Sequence, residues 1–124
     1  MPLSFGYRDE NNERINNLLK KLIALTLVSG GNDEDVEQLL EELGLSRVKL
    51  LEMDTDTINK HLADNHLDWP NMEQVADVLV ELSKRAGMEP LKEKAIGLYN
   101  FIQKESRLFS FEIMAKVNSL SQSK

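Results

Sequence analysis

Between Asn71 and Ser106 apolar residues recur at spacings of three and four in two separate stripes, and this limits the chain to very few folds. Val75, Val78, Leu79 and Leu82 make the first stripe, and Leu91, Ala95, Leu98, Tyr99 and Ile102 make the second. That spacing keeps side chains on one face of a helix, which must then bury the face against something. A Gly87-to-Pro90 break divides the stripes, so the segment spells a helical hairpin. Gly87 ends the first helix, and Pro90 fits the opening turn of the second, where its missing amide hydrogen costs nothing. Asn71, with Gln74 three residues on, has the spacing of a capping box for the first helix.

The same rhythm runs through the rest of the chain. Ile15, Leu18, Leu19, Leu22, Ile23 and Thr26 predict a helix over 9–29, stopped by Gly30-Gly31. Leu25, Leu27 and Val28 widen its apolar face, as in a helix contacted from two sides. Asn32 is placed to cap a second helix through Leu43, ended by Gly44, with Val36, Leu39, Leu40 and Leu43 inward. Ser46 starts a short helix with Val48, Leu50 and Leu51 inward. Asp54 or Thr55 starts another, with Ile58 and Leu62 inward. Ser110 caps a last helix with Ile113, Val117 and Leu120 facing in, and Phe109 and Met114 are placed to close a hydrophobic staple.

No alternating strand pattern competes, so the fold class is all-α, a bundle of six to seven helices. Its 124 residues suit one domain. Residues 1–8 read as a flexible arm, 9–62 as N-terminal helices, 63–70 as a connecting loop, and 71–120 as the hairpin with a capping helix. Phe5 and Tyr7 on the arm are candidates for docking in a groove.

Several function classes lose support from composition. Without cysteine there is neither a disulfide frame nor a thiolate metal site. The longest apolar run, Leu22 to Val28, is far too short to span a bilayer, and the first residues lack a signal-peptide pattern, so a cytoplasmic protein is expected. Net charge is −6 with a pI near 4.9, which repels phosphate backbones. The charge divides unevenly, −7 over residues 1–70 and +1 over 71–124.

Leu79, Leu82, Ser83, Ala86, Ala95 and Tyr99 have spacings that resemble a tetratricopeptide repeat. Ser83 and Ala95 stand where that family favours small residues, Leu82 where it favours Leu, and Tyr99 where it favours an aromatic. Leu79 and Ala86 replace its usual Trp and Tyr, and Pro90 its common inter-helix Gly. The resemblance implies that Asp77 and Lys84 project toward a peptide-binding groove. The first half is similar to small bacterial all-helical proteins through Gly44-Leu45 and Leu50-Leu51-Glu52-Met53-Asp54, a likeness that implies no activity.

Neither a catalytic, a cofactor-binding nor a metal constellation stands out. His61 and His66 are divided by a turn-forming break, with only Asp64 within one helical turn of His61. Asp54 and Asp56 begin like a calcium loop, but Ile58 fills an oxygen-donor position. Asp33, Glu34, Asp35, Glu37, Glu41 and Glu42 read as a solvated face. Trp69, the only tryptophan, reads as a lid over the junction or as an interface anchor.

The leading expectation is a non-catalytic module that binds a protein or peptide, or a second copy of itself, through Asp77, Lys84 and Trp69. A helix-turn-helix over 46–62 that binds DNA is the alternative, and an enzyme is a third.

Overall fold

The computed structural model describes residues 2–28, 33–107 and 110–122, with side chains described at all of these except 2–9 and 122. Seven helices and no strand occur among the described residues, and the all-α expectation holds. They are α1 (Pro2–Leu27), α2 (Asp33–Glu42), α3 (Arg47–Glu52), α4 (Thr55–Asp64), α5 (Trp69–Ser83), α6 (Leu91–Ser106) and α7 (Phe111–Gln122).

Helix α5 is the centre. It packs against α6 on one side and α1 on the other, while α2 lies on α1, and α4 and α7 lie on α6. The two stripes of the hairpin meet as their spacing requires: Val75, Val78, Leu79 and Leu82 are buried, as are Leu91, Ala95, Leu98, Tyr99 and Ile102. From α1 come Ile15, Leu18, Leu19, Leu22 and Thr26. One hydrophobic cluster reaches from Ile15 to Ile113 and takes residues from both halves of the chain. Leu45, Leu67 and Met88, each outside a helix, plug it from the connections.

Capping explains most helix starts. The Ser46 hydroxyl accepts the Lys49 amide at 3.0 Å, Asp54 accepts Thr57 at 2.8 Å, and Ser110 accepts Ile113 at 3.1 Å. Gly44, at φ 76°, closes α2 with the Leu45 amide donating back to the Leu40 carbonyl at 2.9 Å. Lys94 closes α3 from outside, its Nζ donating to the Leu50 and Leu51 carbonyls at 2.6 and 2.7 Å. Burial there lowers the Lys94 pKa, and the charge of Asp54 opposes that shift.

The structure corrects several expectations. Helix α1 begins at Pro2, so 2–8 continue the helix where an arm was expected; Pro2 occupies the first position, which its ring tolerates. The side chains of Phe5 and Tyr7, the Gly30-Gly31 stop, the Asn32 cap and the Phe109 staple lie outside the described residues. The connection expected over 63–70 shrinks to 65–68, because α4 runs to Asp64 and α5 starts at Trp69. Asp68, not Asn71, caps α5, accepting the Asn71 amide at 3.0 Å, and Pro70 sits in the first turn. The Asn71 side chain turns inward, its Nδ2 donating to the main-chain and side-chain oxygens of Asn12, each at 2.9 Å. Gln74 adds a bond to Asn16, and this amide seam ties α5 to α1.

Helix α5 ends at Ser83 and Gly87 falls in the turn beyond it, so Ala86 does not complete the helix. Val48, expected inward, is exposed, and so are Leu27 and Val28. A six-residue helix presents too little surface to bury Val48 along with Leu50. The acidic face of α2 is only partly solvated. Asp33 pairs with Arg47 at 3.1 Å and with Arg85, and the Glu37 carboxylate accepts the Arg47 amide at 2.9 Å. The Arg47 Nε lies 3.4 Å from Glu37, an ion-pair distance without hydrogen-bond alignment.

Asn59 stands out in the core: it is buried, and its Oδ1 has no partner. A buried carbonyl without a donor costs about 1–3 kcal/mol, and leucine has a similar shape. Asn59→Leu is therefore expected to raise stability by about 1 kcal/mol in urea denaturation. A loss of stability would show that the amide holds the site together.

Candidate functional site

Glu73, Asp77 and Glu81 follow one another at intervals of four along α5, on a face that its buried stripe leaves free. Lys116 of α7 reaches across to them, its Nζ lying 2.7 Å from Glu73 and 3.1 Å from Asp77. From α6, the Tyr99 hydroxyl donates to the same Asp77 oxygen that accepts from Lys116. The Lys116 ammonium also lies 5.7 Å from the centre of the Tyr99 ring, within reach of its negative face.

These contacts fix the protonation of the group. Burial raises the Tyr99 pKa well above the tyrosine range, and its bond to Asp77 and the charges of Asp77, Glu73 and Glu81 push the same way. For Lys116 burial works downward, but hydrogen bonds to Glu73 and Asp77 and their charges outweigh it, and the pKa is raised. Tyr99 stays neutral and Lys116 charged at ordinary pH. The cluster is a latch of mutually satisfied groups.

Above this latch opens a cleft of about 590 Å³. Ile23 and Leu27 of α1 form one wall, Ala115 and Leu120 of α7 the other, and Val80 continues the apolar lining from α5. Asp77, Tyr99 and Lys116 border it, as do Glu81 and Glu112. The volume is within the range of sites that take small ligands or the anchoring side chains of a partner. Chemically the cleft offers apolar contact and negative charge.

The three residues singled out from sequence are not brought together. Asp77 lines the cleft. Lys84 caps the end of α5, exposed, pairing with Glu81 at 3.2 Å, and is not among the lining residues. Trp69 is half-buried at the opposite end of α5, its ring 6.4 Å from that of Phe101 at a tilt of 58°. It is a packing residue at that end.

Periodicity and the tetratricopeptide resemblance both place Tyr99 in the packing of the hairpin, and neither marks Glu112 or Lys116 as site residues. The four-residue interval of Glu73, Asp77 and Glu81 was a usable signal, because it aligns three like charges and so calls for a cation. Nothing local pointed to Lys116 as that cation. Leu27 widens the apolar face of α1, which reads as packing from two sides, and is instead exposed at the cleft.

The two histidines serve different turns. The His61 Nε2 meets the Leu43 carbonyl at 3.0 Å, and the ring lies against Gly44, where an added Cβ would come within 3.3 Å of it. His66 is left-handed at φ 61°, and its carbonyl accepts from Asn12 at 3.2 Å. Among the described residues no three His, Cys, Asp or Glu side chains gather as a metal site requires. No described helix is long and apolar enough to cross a membrane. Compared with protein-family models, curated proteins and solved structures, the chain matches none.

Proposed function

We propose that this chain is a non-catalytic helical module that binds a protein or peptide partner, with the cleft between α1, α5 and α7 as the seat and the α5–α6 pair as a tetratricopeptide-like hairpin. The observation behind it is an open apolar cleft in which Asp77, Tyr99 and Lys116 are already paired with one another. Leu27, which lines it, is 64% exposed, and such apolar surface is stabilised when a partner's side chains cover it. Antiparallel helices with an apolar groove take amphipathic segments in this way. The segment over 46–62 fits a DNA reader less well, since Arg47 is spent on Asp33 and Glu37, and Lys60 pairs with Asp64 at 2.9 Å.

Selection of a random peptide library against the purified chain tests this reading. Enriched peptides should lose binding to Ala115→Trp, which fills the cleft from an exposed position and leaves the fold intact. No enrichment, or enriched peptides that bind Ala115→Trp unchanged, would remove the cleft as a binding seat.

A further inference from the structure

We infer that the cleft takes a basic amphipathic segment of a partner chain, apolar side chains between α1 and α7 and lysine or arginine side chains over Glu81 and Glu112. This rests on the cleft being a docking seat, as proposed above. It adds the partner's charge.

Its basis is the accounting of charge around the cleft. Asp77, Glu81 and Glu112 border the opening, and Lys116 is the single cation among the lining residues. That cation is committed to Glu73 and Asp77, so it neutralises what lies beneath the cleft and not its edge. Glu81 has only Lys84, two-thirds exposed and three residues on, in a kind of surface pair worth little in water. Glu112 is exposed and has no ion pair among the described residues. An occupant that fills the apolar walls therefore meets two carboxylates open to new partners. An acidic occupant would place like charges together, and an uncharged one would cover Glu81 and Glu112 without pairing them. A second copy of this chain, itself net negative, fits the same edge poorly.

The probes are two designed 16-residue helical peptides with identical leucine stripes, one with lysines on the polar face and one with glutamates, titrated by fluorescence anisotropy. The lysine peptide should bind and the glutamate peptide should not. The double variant Glu81→Gln/Glu112→Gln should weaken the lysine peptide by about fivefold, from two exposed pairs. Glu34→Gln/Glu41→Gln, which removes the same charge from exposed positions on α2, should leave it unchanged. Equal loss in both double variants would mean attraction by overall charge and would overturn the inference. So would equal binding of both peptides, or tighter binding of the glutamate peptide; if Ala115→Trp still abolished that binding, the docking seat would survive without the charge preference. Failure of both peptides to bind overturns the inference, and the library selection then decides the seat separately. Light scattering that showed a dimer dissociated by Ala115→Trp would assign the cleft to a second copy instead.

Discussion

Tyr99→Ala is expected to cost about 3–5 kcal/mol in chemical denaturation, while Tyr99→Phe costs about 1 kcal/mol. The ring is 1% exposed and fills the space between α6 and α5, so its removal leaves a cavity in the best-packed part of the molecule. The hydroxyl contributes less, because Asp77 is partly exposed and keeps Lys116 as a partner when the tyrosine is gone. Near-equal losses in the two variants would show that the hydrogen bond to Asp77, and not the packing, dominates.

The same residue sets the response to alkali. In the folded state the Tyr99 and Lys116 pKa values are both raised, so each group holds its proton after the unfolded chain has released it. Their contribution is therefore whole below the unfolded values, near 10 for tyrosine and 10.5 for lysine, and declines as pH rises above them. Midpoints measured from pH 9 upward should fall, and the fall should be shallower in Tyr99→Phe.

A second large effect is expected at Gly97. A Cβ built there would lie 2.2 Å from Thr55 Cγ2, closer than such atoms can stand, and a tight 3.3 Å from Thr55 Cβ and Oγ1. Thr55 opens α4 and is branched at the β carbon, so one of its two alternative rotamers brings the hydroxyl toward the same space and relief is restricted. Gly97→Ala should thus destabilise by about 1–3 kcal/mol from overpacking, although alanine favours a helix interior by about 1 kcal/mol over glycine. Thr55→Ser removes the clashing methyl. In the double variant the loss should largely vanish and the alanine preference should show, a coupling that a double-mutant cycle measures directly. A Gly97→Ala protein as stable as the parent would show that Thr55 gives way at little cost.

What could be read from the sequence follows from how far apart the interacting residues are. The stripe Leu91, Ala95, Leu98, Tyr99 and Ile102 repeats within single helices, and every member is buried. Ser46, Asp54 and Ser110 act on amides three residues away, and each was legible as a cap. Leu67 and Met88 belong to no period, since each is a single apolar residue in a connection, and only the assembled core shows where they point. Asp68 outcompeted Asn71 as the cap because Asn71 found Asn12, a partner 59 residues distant. The site suffers most from this limit. Lys116 meets Asp77 across 39 residues and Tyr99 meets it across 22, distances over which no local pattern speaks. Gly97 likewise carries no local signal, since its constraint comes from Thr55, 42 residues away in sequence (97 − 55).

Helix α7 buries just one of its described residues completely, Ile113, yet it supplies a whole side of the cleft and the ammonium that neutralises Asp77. A guest bound only while α7 is seated would draw on the same free energy that keeps it seated. Occupancy and anchoring of α7 are then two readings of one equilibrium, and amide protons near Val117 would exchange more slowly in proportion to how tightly the guest is held.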